Sequence, residues 1–234
     1  MTSQRTGLAA ALLGAGLLLC PQEANAAPLS FEAVLVSDYR YRGVSLSDDR
    51  PALQASLTWE HDSGVYANLW GSTIKEDGEP LKAEVDLTAG FAAELPLGVI
   101  LDVSATYYAY PGDRDFNYFE GTTIIERPFG PVTAHAGLSY APRQGALADG
   151  DGRKHANRYL FAGASFEVPG TPVTLASQIG HERGAFDLNP GGGKTDWSVA
   201  AEVALQRLRV GMSFVGTDAP GESGTIVGSA ALAF

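Results

Sequence analysis

Residues 82–95 read Lys-Ala-Glu-Val-Asp-Leu-Thr-Ala-Gly-Phe-Ala-Ala-Glu-Leu, with an apolar side chain at almost every second position. Successive side chains of a β-strand point to opposite faces. One face therefore carries Ala83, Val85, Leu87, Ala89, Phe91 and Ala93, and the other carries Lys82, Glu84, Asp86 and Thr88. The same two-residue period returns at Trp197, Val199, Ala201, Val203 and Leu205, set against Ser198, Ala200 and Glu202. Twelve such segments follow one another, at 31–42, 52–60, 64–73, 82–95, 98–109, 117–127, 131–141, 157–167, 172–182, 195–206, 208–217 and 224–234. Their connections alternate in kind. Short turns such as His61-Asp62-Ser63, Pro96-Leu97 and Pro128-Phe129-Gly130 suit hairpins. Longer links at 43–51, 74–81, 110–116, 142–156, 183–194 and 218–223 are rich in Asp, Gly, Lys and Arg, as solvated loops are.

An even number of strands with alternating short and long links predicts an all-β fold, a transmembrane antiparallel up-and-down β-barrel of twelve strands. It would have short periplasmic turns and longer outer loops. The aromatics give a check. Lipid-facing aromatics of such a barrel form girdles at the two interfaces. With the first strand running outward, Phe31, Trp59, Phe91, Phe166 and Phe234 fall near the periplasmic rim, and Tyr39, Tyr41, Tyr107, Tyr140 and Trp197 toward the outer rim. Mid-strand positions hold Val, Leu, Ile, Ala and Gly. A soluble sandwich or lipocalin-like barrel would instead place its large residues at mid-strand, where they fill a core.

The N-terminus reads as a secretory signal peptide over 1–26: Arg5, an apolar run from Leu8 to Leu19, and Ala24-Asn25-Ala26 before the cut. The run is too short to span a bilayer as a helix. Residues 27–234 form a single outer-membrane barrel domain on this reading. Cys20 falls within the leader, so the mature chain has no thiol for a disulfide or a metal. No His pair stands at ligand spacing, and no cofactor is expected. The net charge of −11 argues against a nucleic-acid partner.

If the apolar face meets lipid, the polar face lines the interior. Asp38, Arg40, Arg42, Glu84, Asp86, Asp102, Glu120, Glu126 and Glu202 are the candidate lumen-lining residues, and acids outnumber bases among them. Ionisable groups at membrane depth are costly unless they face water or one another. A carboxylate-rich passage attracts cations. Twelve strands lie between eight-stranded barrels filled by their own side chains and sixteen-stranded ones with an aqueous channel, so an open and a plugged lumen both remain possible.

Several motifs resemble one known family. Ser37-Asp38-Tyr39-Arg40-Tyr41-Arg42-Gly43-Val44-Ser45, Gly64-Val65-Tyr66 with Trp70-Gly71-Ser72, Glu84-Val85-Asp86-Leu87 with Ala89-Gly90-Phe91, Tyr107-Tyr108-Ala109-Tyr110-Pro111-Gly112 and Asn117-Tyr118-Phe119-Glu120 together resemble the TorF-like porin family of Gram-negative bacteria. The likeness thins after residue 140. It implies an outer-membrane barrel with a pore role and supplies neither a substrate nor catalytic residues. In the first motif, Tyr39 and Tyr41 would anchor the outer interface, and Asp38, Arg40 and Arg42 would share the inner face of the first strand and pair with neighbouring acids.

The expected function is a porin-like channel for small hydrophilic solutes or ions, with a cation preference, in the cell outer membrane. Its partners would be outer-membrane lipids, the solutes, and the barrel assembly machinery reached through the C-terminal strand that ends in Phe234. A non-conducting adhesion or structural barrel is the binding alternative, although most loops are short and polar. An outer-membrane lipid hydrolase is the enzyme alternative, with His181 beside Glu182 near the outer rim; no serine partner stands at a fitting spacing. Gly191-Gly192-Gly193-Lys194-Thr195 lacks the spacing and the helix of a phosphate loop and reads as an outer loop.

Overall fold

A computed structural model describes residues 29–75, 82–189 and 192–234. The leader, the cut before Ala27, most of the second long link and Gly191 lie outside the described residues. Among the described residues, twelve antiparallel strands close on themselves. They are β1 (Leu29–Val36), β4 (Ala52–Glu60), β5 (Val65–Ile74), β6 (Lys82–Leu95), β7 (Val99–Ala109), β8 (Tyr118–Phe129), β9 (Val132–Ala141), β10 (Asn157–Glu167), β11 (Val173–Gly184), β12 (Lys194–Leu205), β13 (Leu208–Thr217) and β14 (Thr225–Ala233). Two further strands, β2 (Arg40–Tyr41) and β3 (Val44–Ser45), pair only with each other. Each wall strand pairs with its sequence neighbours, and β1 joins β14 through Glu32↔Ala233 to Val36↔Ser229. Closure leaves no sheet edge, so every wall strand has a ladder on both sides.

The hydrophobic pattern is inverted relative to a water-soluble barrel. Leu53, Leu87, Leu160, Ile179, Val199 and Met212 project outward and are exposed. Asn68, Thr88, Glu84, Ser139 and Asn157 project inward and are buried. A water-soluble monomer rarely exposes an apolar patch above a few hundred Å², yet here the belt runs round the whole barrel. Hydrocarbon covers such a belt, and the alternating inner positions stay polar.

The chain departs from the expected first strand after Val36. That strand was expected to continue to residue 42, with Tyr39 and Tyr41 on the lipid face. Instead the wall ends at Val36, and a hairpin over residues 38–47 folds into the lumen. Tyr39 is 1% exposed and Tyr41 is half-buried inside the barrel, so neither belongs to a girdle. The turn explains the departure. Arg42 (φ 48°) and Gly43 (φ 85°) both adopt left-handed backbone between β2 and β3, the pattern of a two-residue hairpin turn that matches strand twist. A Cβ on Gly43 would stand 2.5 Å from the Thr217 Cβ, so the hairpin needs glycine both for its dihedral and for its approach to β13.

The other expected girdle residues, Phe31, Trp59, Phe91, Tyr107, Tyr140, Phe166, Trp197 and Phe234, project outward and are exposed. Phe31 and Phe234 meet at the seam. Their rings lie 5.7 Å apart, and the Phe234 N–H donates to the Phe31 carbonyl at 2.9 Å.

Candidate functional site: the lumen and its inserted hairpin

The five links at 61–64, 96–98, 130–131, 168–172 and 206–207 mark one end of the barrel as a short-turn end; the inserted hairpin occupies the other. Arg42, at the hairpin tip, reaches the far wall. Its guanidinium donates to Glu182 on β11 at 2.5 Å and to Glu120 on β8 at 2.6 Å. The rings of Tyr41 and Tyr159 cover it at 4.7 and 4.2 Å. Glu182 also takes Lys194 at 2.7 Å and the Asn157 side-chain amide at 2.9 Å. A planar fork binding two carboxylates while sandwiched by aromatics suits arginine and not lysine. Left-handed backbone at a non-glycine residue costs about 1–2 kcal/mol; these buried contacts offset that cost at Arg42.

Arg40 fastens the base of the hairpin. It pairs with Asp38, with Asp49 at 2.5 Å and with Glu222 at 3.1 Å, and it donates to the carbonyls of Gly43 at 3.0 Å and Ser223 at 3.3 Å. Asp38 in turn accepts from the hydroxyls of Ser45 at 2.7 Å and Ser47 at 3.0 Å. The third attachment is Tyr39, whose hydroxyl donates to Glu84 on β6 at 2.9 Å and whose ring meets Trp70 edge-on at 5.5 Å. Tyr110 donates to the other Glu84 oxygen at 2.9 Å, so both oxygens of that carboxylate are occupied.

The expected lumen residues therefore divide. Glu84, Asp86, Asp102, Glu120, Glu126 and Glu202 stand on the inner face of wall strands, whereas Asp38, Arg40 and Arg42 belong to the inserted segment. Their interactions also divide. Glu120 and Glu182 are neutralised by Arg42, and Glu32 and Glu202 by Arg209 on β13. Among the described residues, Asp86, Asp102 and Glu126, on β6, β7 and β8, make no ion pair. Asp102 accepts only the Tyr66 hydroxyl, at 3.0 Å. Asp196 on β12 likewise makes no ion pair among the described residues and accepts the Tyr159 hydroxyl at 2.9 Å, so acids without a paired cation stand on more than one side of the lumen.

Sequence reasoning missed Glu182, Lys194, Asp196 and Tyr159. The signal was present, since Glu182 shares parity with Gln178, and Lys194 and Asp196 share parity with Glu202. His181, the candidate of the enzyme alternative, points to the outer face and meets Thr195 at 3.1 Å. His135 is inside, 3.3 Å from Gln178. Among the described residues no group of His, Cys, Asp or Glu could hold a metal.

Outside the wall, Asp149 in the link 142–156 meets His155 at 2.9 Å. That hydrogen bond, followed by those from the Arg153 and Asp151 N–H groups, holds its carboxyl below the usual range.

Solved structures with the same architecture are outer-membrane channels. The chain is similar to a KdgM porin at 5% identity and a TM-score of 0.61, over 88% of this chain and 98% of that one. It is similar to a NanC porin at 11% and 0.57, over 88% and 97%. An outer-membrane channel from Pseudomonas putida F1 aligns at 10% and 0.55, over 89% and 96%. At these identities the likeness shows the fold. No curated protein matches the chain. A family model described as a bacterial protein of unknown function, Gcw_chp, matches residues 22–232, and the chain belongs to that family.

Proposed function

We propose that this protein is a porin-like channel of the bacterial outer membrane that passes small hydrophilic solutes and favours cations. The carrying observation is the inverted barrel, apolar outside, whose inner wall carries carboxylates that make no ion pair among the described residues. A charge left unpaired in a dry interior is prohibitive, so Asp86, Asp102 and Glu126 need water. Unneutralised carboxylates in a wet passage attract cations and repel anions. The motifs that resemble TorF-like porins and the channel-type neighbours support the same reading. The signal-peptide reading of residues 1–26 and the terminal Phe234 fit delivery through the barrel assembly machinery. With His181 outside the lumen and no serine partner, a channel fits better than a hydrolase.

The test is a planar-bilayer recording of the mature protein under a KCl gradient. Conductance with a cation-selective reversal potential is expected, and Asp102→Asn with Glu126→Gln moves that potential toward zero. A silent wild type, or anion selectivity, overturns the reading. The inward hairpin favours a second reading, a plugged barrel. It is recognised by a silent wild type together with a conducting Arg42→Ala variant.

A further inference from the structure

Among the described residues Asp86 makes neither an ion pair nor a side-chain hydrogen bond, although it is buried. It is only 9% exposed, and its Oδ1 has no hydrogen-bond donor. The neighbouring acid cannot share its surroundings, because Glu84 already accepts Tyr39 on one oxygen and Tyr110 on the other. Arg42 is committed to Glu120 and Glu182. The register places Asp86 directly opposite Trp70 on β5 and Tyr108 on β7. Opposed side chains on one face of a sheet stand about 4.5–5.5 Å apart at Cβ. Each flank is doubled by the hairpin, since Tyr39 packs edge-on against Trp70 and Tyr41 against Tyr108, with centroids 5.5 and 6.1 Å apart. A buried carboxylate without a donor thus lies between two aromatic pairs.

We propose that Asp86 and its aromatic flanks form a recognition point for solutes bearing an ammonium group. The chemistry matches on both sides. An ammonium offers several N–H donors to the open carboxylate oxygen, and aromatic faces attract a cation that has shed part of its water. A small, fully hydrated inorganic cation gains only the charge term. The proposal deepens the channel reading by naming a solute class, but binding at Asp86 does not require conduction.

The experiment separates the two. The chain has three tryptophans, and Trp59 and Trp197 face outward. The Trp59→Phe/Trp197→Phe variant leaves Trp70 as a reporter beside Asp86. Its emission is titrated in detergent with ethylammonium chloride against potassium chloride at equal ionic strength. A saturable change with ethylammonium alone is expected. Adding Asp86→Asn weakens it by about tenfold or more, the loss expected when a charged acceptor becomes neutral. Adding Asp149→Asn, an acid in the link 142–156 outside the lumen, leaves it unchanged. Far-UV circular dichroism shows whether the Asp86→Asn barrel is intact. If that variant does not fold, Trp70→Leu on the natural background is read by the ethylammonium-to-potassium permeability ratio, which should fall. An equal response to both salts, or a titration untouched by Asp86→Asn, overturns the proposal. A silent bilayer with an intact titration overturns the channel reading and leaves the binding site standing.

Discussion

At the end of the barrel that holds the hairpin, the lumen is bridged. Arg42 joins the segment after β1 to β8 and β11, and Tyr39 joins it to β6. At the short-turn end the ion pairs seen among the described residues stay along the wall. Arg209 on β13 pairs with Glu32 on β1 and Glu202 on β12, while Asp102 and Glu126 make no ion pair among the described residues. The difference follows from reach. Wall side chains bond easily to strands beside them, but a link across the interior needs backbone brought inward first. The inserted hairpin supplies it and ties opposite walls together.

The largest expected effect comes from breaking the bridge. Arg42→Ala leaves Glu120 and Glu182 buried without their shared cation, a change worth about 3–5 kcal/mol. Chemical unfolding of the detergent-solubilised barrel should show that loss, and single-channel conductance should rise as the hairpin detaches. Unchanged conductance would mean that the hairpin does not narrow the path.

A smaller effect tests the unbridged half. Tyr66 lies flat across the wall over Gly90, where an added Cβ would come within 2.3 Å of the ring. Gly90→Ala should therefore displace Tyr66 from Asp102 and cost about 1–3 kcal/mol, with no change in the Arg42 contacts. Equal stability of variant and natural protein would show that this wall yields easily.

The smallest effect serves as a control outside both halves. The Asp149 carboxyl is held low by His155, so its contribution is present above the ordinary carboxylate range and lost as pH falls through its own lowered value. Proteolysis within 142–156 should quicken at acid pH and in Asp149→Ala, while the unfolding midpoint stays put because the pair is exposed. A shift of that midpoint would tie the loop to the barrel more closely than its contacts show.

The walls were legible in the sequence because alternation is a local property. The parity of Glu84 and Asp86 against Val85 and Leu87 fixes their face whatever surrounds them. The same rule covers Glu182 and Asp196, whose parity puts them on the inner face of the segments 172–182 and 195–206. It failed at Tyr39 and Tyr41. Their alternation with Asp38, Arg40 and Arg42 continues that of β1, so period alone cannot register that the chain has left the wall. Arg42-Gly43, a dipeptide able to take two positive φ values, was the only local hint.

The amino-acid sequence by itself determined the strands, their faces and the even count that closes the barrel, because each rests on the two-residue geometry of an extended chain. Only the tertiary structure decided which charges are paired with one another. Arg42 stands 78 residues from Glu120 and 140 from Glu182. Such pairings depend on where closure brings distant walls together, and no local pattern encodes that distance.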